Sequence, residues 1–185
     1  MALLSKLVNG VKEGVTSAMQ GAADVGSAGV NAIKTVTVDV LKGAEETLSS
    51  GMDAAASVVK GALDGLSDLG VTTVDAIKGT VSGAVQGFKQ AGGRHEQGVK
   101  GAVGQAVRSA KDFGLDLGKA AVAAVEGAVD GVKQVGGDTA AATKDALSAA
   151  LDAAKEIGAD AYDAVRSSLE AGVDGAKDIL KSIKE

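Results

Sequence analysis

The chain repeats with a period of eleven residues, and the repeat is strictest in the size of one side chain. Every eleventh residue from Gly10 to Gly175 is Gly, Ala or Ser, without a shift in phase over sixteen positions. Eleven residues correspond to three α-helical turns at about 3.67 residues per turn. The chain has no proline that would interrupt a helix. The period therefore predicts an all-α protein of long amphipathic helices, with residues 1–185 forming one repeat array.

A second lattice of the same period carries basic residues. Its members are Lys12, Lys34, Lys78, Lys89, Lys100, Lys111, Lys133, Lys144, Lys155, Arg166 and Lys177. Val122 is the one interruption between Lys78 and Lys177. On a helical wheel these bases line one border of an apolar stripe, and the small-residue lattice lies towards the other border.

The apolar residues fill five neighbouring positions of the wheel, whose centres span about 130°. The residues predicted to face lipid or a partner helix are Val15, Val30, Leu63, Val74, Ile77, Val81, Val85, Phe88, Val103, Val107, Val125, Val129, Leu147, Leu151, Val165 and Val173. Aspartates fall on the opposite side, three residues before a lattice base. Pairs such as Asp75 with Lys78 are therefore expected on the helix surface.

Glycine is unusually frequent for a helical chain, with 27 residues. Each glycine inside a helix costs about 1 kcal/mol relative to alanine, so an isolated helix of this sequence is marginal in water. Two explanations for the small-residue border stay open. It can allow another backbone to approach closely, as in small-xxx-small interfaces, or it can keep the chain unfolded until it binds.

The repeat pattern weakens at the midpoint of the chain, in residues 91–98. There Gly92 and Gly93 precede His95 and Glu96, which occupy positions that are otherwise apolar or small. The segment predicts a hinge at which the helices fold back as a hairpin. Weaker breaks near 49–51 and 136–138 would divide the chain into four helical segments of about 40–48 residues.

Composition and motifs argue against catalysis. His95 is the only histidine and cysteine is absent, so neither a metal site nor a nucleophilic triad is indicated. The net charge is −5 with both signs interspersed, and no basic block suggests nucleic acid. We expect no enzyme activity, no cofactor and no small-molecule substrate.

The segment 11–18, VKEGVTSA, resembles the KTKEGV units of synucleins. GAVQGFKQAGG and GAVDGVKQVGGDTAAATKDAL are similar to the eleven-residue repeats of perilipins. Exchangeable apolipoproteins and group-3 late-embryogenesis-abundant proteins are similar in the same way, more distantly. The resemblance covers nearly the whole chain and implies amphipathic helices that bind a membrane or lipid droplet. In synuclein-type units lysines border the apolar face, a role that Lys12 would share.

Three functions follow as expectations. The first is a non-enzymatic coat on a lipid surface, in the cytoplasm and peripheral to a membrane or lipid droplet, since the N-terminal residues are a poor secretory signal. The first alternative is a structural protein that self-assembles as a homo-oligomeric bundle, filament or tube through the stripe and the Gly/Ala border. The second alternative is a desiccation or stress protectant.

Overall fold

The computed structural model describes residues 2–19, 27–42, 51–71 and 73–183. Within these ranges the chain forms nine α-helices and no strand, which confirms the all-α prediction with helices folded back on one another. The β-branched stretch 33–41 is helical, as the repeat predicted. The helices are α1 (Ala2–Ala18), α2 (Ser27–Lys42), α3 (Met52–Asp68), α4 (Val74–Gln90), α5 (His95–Asp112), α6 (Leu117–Gln134), α7 (Thr139–Ile157), α8 (Ala159–Gly172) and α9 (Ala176–Ile183).

The helices pack in two rows. In the odd row α1, α3, α5, α7 and α9 follow one another, and in the even row α2, α4, α6 and α8 do the same. Helices that are consecutive in sequence contact each other between the two rows, from α3 to α9 and also for α1 with α2. Each inner helix therefore packs against neighbours on several sides, as in repeat proteins whose units contact only their neighbours.

The helices are much shorter than the eleven-residue period predicted. They span 8 to 19 residues rather than 40 to 48. The reason is a glycine with positive φ that recurs every 22 residues, at Gly70, Gly92, Gly114, Gly136 and Gly158. Two eleven-residue units thus form one helix and one turn.

The four turns at Gly70, Gly92, Gly114 and Gly136 share one hydrogen-bonding pattern. At the end of α4 the Gly92 N–H donates to the Lys89 carbonyl at 3.0 Å, and the Gly93 N–H donates to the Phe88 carbonyl at 2.9 Å. This pair of bonds is the Schellman motif, which ends a helix at a left-handed residue. The same pair of bonds follows α3, α5 and α6, at Gly70 and Val71, Gly114 and Leu115, and Gly136 and Gly137.

The predicted hinge lies at one of these turns. Residues 91–94 connect α4 to α5, and His95 and Glu96 begin α5. The weaker break near 136–138 coincides with the turn between α6 and α7, whereas of 49–51 only Gly51 belongs to the described residues, just before α3. The equivalent turns between α3 and α4 and between α5 and α6 were not predicted from the sequence.

The helix ends account for part of the lysine lattice. Lys89, Lys111, Lys133 and Lys155 lie in the last turns of α4, α5, α6 and α7. A cation there interacts favourably with the negative end of the helix dipole. At the other ends Thr73, Asp116 and Asp138 accept hydrogen bonds from the third following backbone N–H, at 3.0 to 3.1 Å.

Candidate interaction surfaces

The predicted apolar stripe forms the interior of the array. Twelve of its sixteen residues are buried, and Val30, Val74, Val129 and Val173 are half-buried. The buried twelve are Val15, Leu63, Ile77, Val81, Val85, Phe88, Val103, Val107, Val125, Leu147, Leu151 and Val165. Within the described part of the chain the one large apolar side chain that is exposed is Met52, at 48%. The stripe therefore faces other helices of the same chain.

Three glycines of the small-residue border face the backbone of the neighbouring helix in the same row. A Cβ atom built on Gly65 of α3 would lie 2.9 Å from the Lys12 carbonyl oxygen of α1. The corresponding distances are 2.8 Å from Gly87 of α4 to the Lys34 carbonyl oxygen, and 2.9 Å from Gly131 of α6 to that of Ser82. No side chain larger than hydrogen fits such contacts without a shift of the helices.

A second glycine lies one turn before each of these three. Gly61, Gly83 and Gly127 also face a carbonyl oxygen of the neighbouring helix, belonging to Val8, Val30 and Lys78. These glycine pairs were not singled out in the sequence. Their four-residue spacing, Gly-xxx-Gly, is the signal that would have identified them.

The remaining lattice bases differ in their partners. Lys12 Nζ lies 3.2 Å from Asp68, Lys78 Nζ lies 3.4 Å from Glu126 and 3.8 Å from Asp130, and Lys100 Nζ lies 3.8 Å from Asp145. Arg166 pairs within its own helix, with Glu170 at 3.0 Å. Lys34 is half-buried, and Lys144 and Lys177 are exposed.

The predicted pairing of Asp75 with Lys78 is wrong. Lys78 turns instead to the carboxylates of α6, two helices further along the chain. A non-lattice base behaves in the same way, since Arg108 Nε of α5 lies 3.2 Å from Glu156 of α7. A base on one helix thus meets an acid on the next helix of the row, a relationship that the helical wheel of a single helix cannot reveal.

One of the predicted hinge residues, His95, is partly buried. The Nδ1 atom of His95 is buried and has no hydrogen-bond partner among the described residues. Its ring lies against Gly137, in the turn between α6 and α7. Burial lowers the pKa of His95, and the positive charge of Lys89 lowers it further. On the neighbouring residue the Lys100 ammonium donates a hydrogen bond to Glu96 at 2.8 Å and lowers the pKa of that carboxyl.

Among the described helices α8 is the least covered. Only Val165 and Leu169 of α8 are buried, whereas twelve residues of α4 are. A cleft of about 620 Å³ opens here beside the short helix α9. Its lining combines apolar and charged side chains: Leu151, Tyr162 and Leu180 with Asp152, Lys155 and Arg166.

The described ranges hold neither a metal-binding cluster nor a membrane-spanning helix. No group of three or more histidine and acidic side chains there is placed to hold a metal ion. None of the described helices has both the length and the apolar character to cross a membrane. Comparison with known proteins adds no identity, since no protein-family model matches the chain and no curated protein is significantly similar to it.

Proposed function

We propose that this chain is a non-enzymatic structural protein that self-assembles from folded helical arrays. The observation that carries the proposal is the glycine border, at which Gly65, Gly87 and Gly131 meet the backbone of a neighbouring helix. Such contacts contribute only when the helices are packed, so they favour the packed array as the working state. A chain that had to stay unfolded until it bound lipid would gain nothing from them.

The incompletely covered face of α8 supports assembly. Only Val165 and Leu169 of this helix are buried, and Leu151, Tyr162 and Leu180 line the open cleft beside α9. Units of a helical repeat array offer faces for packing against a neighbour. A second molecule can cover this face.

The test is to measure helix content and mass together, in buffer without lipid. Far-ultraviolet circular dichroism should report a helical protein. Sedimentation velocity should report a mass that rises with protein concentration. A chain that is unfolded in buffer, or a helical chain that stays monomeric at all concentrations and at low salt, would contradict the proposal.

A lipid-surface coat remains the second candidate, on a different observation. The turn glycines keep the eleven-residue phase, so straightening a turn would join the stripes of two helices into one amphipathic rod. An opened array could then lie on a membrane or lipid droplet with its stripe in the acyl region and its lysines at the headgroups. The cytoplasmic face of such a surface would be its location.

Vesicles distinguish this second candidate from the first. The purified chain is mixed with vesicles of equimolar phosphatidylcholine and phosphatidylserine, and bound protein is separated by flotation. A lipid coat predicts flotation that Val107→Glu abolishes, whereas Gln105→Glu, on the polar side, leaves it unchanged. Absence of flotation of the wild-type chain would remove this candidate.

A further inference from the structure

A polar cleft lies on the even row, where α4 runs between α2 and α6. Its volume is about 630 Å³, and residues of all three helices line it. One wall carries Val30 and Asn31 of α2, and the other carries Asp130, Lys133 and Gln134 of α6. Because the cleft needs these helices side by side, it belongs to the folded array and not to an opened amphipathic rod.

Glycine contacts fix the distance of both walls from α4. A Cβ atom built on Gly83 of α4 would lie 2.8 Å from the carbonyl oxygen of Val30, and one built on Gly131 of α6 would lie 2.9 Å from that of Ser82. Val30 and Ser82 themselves line the cleft. The contacts that pack the row therefore also shape the cleft, as in ligand sites that are formed before the ligand binds.

The floor of the cleft is a pair of buried, uncharged side chains of α4. Gln86 is 7% exposed and Ser82 is 8% exposed, and the Gln86 amide donates a hydrogen bond to the Ser82 hydroxyl at 3.1 Å. The Gln86 Oε1 atom accepts no hydrogen bond among the described residues. It also differs from Thr80 Oγ1 and His95 Nδ1, the fully enclosed side-chain atoms that lack a partner there. Since a primary amide has two N–H donors and one carbonyl acceptor, hydrogen-bonding capacity remains at the floor and is open to a ligand.

The repeat shows that this floor is particular to α4. Residues 22 positions apart have equivalent places in successive helices. At the place of Gln86, the helices α3, α5, α6 and α7 carry Asp64, Arg108, Asp130 and Asp152. None of these four charged residues is buried. From α3 to α7, only α4 combines burial at this place with a neutral side chain that both donates and accepts hydrogen bonds.

The rim of the cleft carries charges that balance one another. Two of its residues are the acids Asp75 and Asp130, and two are the bases Lys78 and Lys133. Lys78 Nζ already lies 3.4 Å from Glu126 and 3.8 Å from Asp130. A charged group of a ligand would lose hydration against the neutral floor without gaining a counter-charge there. Hydroxyl groups match the floor and the rim together, because they donate to carboxylates and accept from ammonium and amide groups.

We propose that this cleft binds a neutral molecule rich in hydroxyl groups, of about the size of a disaccharide. The ligand forms hydrogen bonds with Gln86 at the floor and with the charged rim, and it bridges α2, α4 and α6. The volume lies within the range of about 300–1,000 Å³ that is usual for small-molecule sites. The lining is mostly polar, so binding is expected to be weak, with a dissociation constant in the millimolar range. The proposal does not depend on self-assembly, because all lining residues belong to one molecule.

Saturation-transfer difference NMR tests the site, because it detects the signals of the ligand whether or not the protein assembles. Sucrose is the probe, and saturation at millimolar concentration distinguishes a site from the general exclusion of sugars from protein surfaces. The wild-type chain should give a saturable signal. Gln86→Met removes the floor amide and keeps a side chain of similar length, so it should weaken binding by roughly tenfold through the loss of hydrogen bonds. Asn31→Ala, at the exposed wall on α2, should weaken binding without touching the buried floor.

Gln105→Met is the matched control. Gln105 of α5 donates a hydrogen bond to the Ser109 hydroxyl at 3.1 Å, as Gln86 does to Ser82, but it lies outside the cleft. This variant should bind sucrose like the wild type, and circular dichroism establishes that all variants are folded.

The proposal fails if the wild-type chain gives no saturable sucrose signal, or if Gln86→Met and Asn31→Ala bind sucrose as well as Gln105→Met does. Betaine, a zwitterion without hydroxyl groups, tests the class of ligand. Betaine that saturates the wild-type chain at a lower concentration than sucrose does would overturn the neutral, hydroxyl-rich ligand. None of these outcomes depends on whether the chain self-assembles.

Discussion

The carbonyl oxygen of Lys34 occupies the space that a side chain at Gly87 would need. A Cβ atom at Gly87 would lie 2.8 Å from that oxygen and equally close to the Thr37 methyl group. This contact and that of Gly83 set how closely α2 and α4 approach, and similar contacts in other helix pairs are made by Gly61, Gly65, Gly127 and Gly131. Glycine, which weakens each isolated helix, is thus required by the packing of the array.

Replacing Gly87 by alanine should therefore destabilise the protein although alanine is the better helix former. Forcing the helices apart costs about 1–3 kcal/mol, more than the gain of up to about 1 kcal/mol in helix propensity. Urea unfolding followed by circular dichroism measures the difference. Gly10→Ala is the control, because Gly10 shares the lattice and its Cβ would meet only Val40 methyl groups at 3.6 and 3.7 Å. A Gly87→Ala variant as stable as Gly10→Ala would show that the close approach is unimportant.

Substitution of a turn glycine should destabilise the protein through its backbone conformation rather than through lack of space. Gly114 has φ of +71°, and no atom of a neighbouring residue lies within 4 Å of the place where its Cβ would be, so only its backbone conformation restricts substitution. Gly114→Ala should cost about 1–2 kcal/mol, the strain of a left-handed residue with a Cβ. Gly114→Asn should cost less, because asparagine tolerates that conformation better. Equal losses for both variants in urea unfolding would argue against a backbone origin.

The class of fold could be predicted from the sequence, but the length of the helices could not be read from the same period. One wheel position alternates between an apolar residue and glycine, as Val59, Gly70, Val81, Gly92 and Val103 illustrate. The alternation doubles the repeat to 22 residues and marks the turns. The eleven-residue period alone does not reveal these turns, because a glycine at the same position could also lie inside a helix at a modest cost.

The composition of the stripe was predictable for the same reason, since helical periodicity determines which side chains share a face. The sequence did not predict what covers the stripe. Lipid, another molecule or the chain itself would bury Val81 or Val103 equally well. Only the turns, which fold the helices back on one another, favour burial by the chain itself. The ion pairs could not be predicted from a single helical wheel either, because Lys78 pairs with residues of another helix about 50 positions later.

The stability of the array should depend on the protonation of His95. Its pKa lies below the ordinary 6.5, first because of burial and second because of Lys89. The folded state then binds the proton less tightly than the unfolded chain does. The contribution of His95 to the free energy of unfolding is therefore fully present above pH 6.5 and is lost as the pH drops below that value. His95→Leu, which places in α5 the residue type found at Leu117, 22 residues later, should remove this dependence.

The neighbouring groups change stability at lower pH. Because the pKa of Glu96 is lowered, its protonation decreases the free energy of unfolding only below the ordinary value of 4.5. The pKa of the partly buried Asp145 is raised, so its protonation near the ordinary value of 3.8 changes the free energy of unfolding in the opposite direction. Urea unfolding of the wild type and of His95→Leu between about pH 5 and pH 7.5 isolates the histidine. Parallel curves for the two proteins would rule out a contribution from His95.

The last prediction concerns the stripe, whose burial distinguishes a packed array from a scattered set of helices. Val107 is fully buried between helices, whereas Gln105 of the same helix is half-buried and its amide donates a hydrogen bond to the hydroxyl of Ser109 at 3.1 Å. Val107→Glu would bury a carboxylate without a partner, which costs several kcal/mol and should unfold the chain. Gln105→Glu keeps its side chain near solvent and should change the free energy of unfolding by less than about 1 kcal/mol. Equal losses of helix signal in the two variants would mean that the eleven-residue period reflects repeated ancestry rather than an interior shared by the helices.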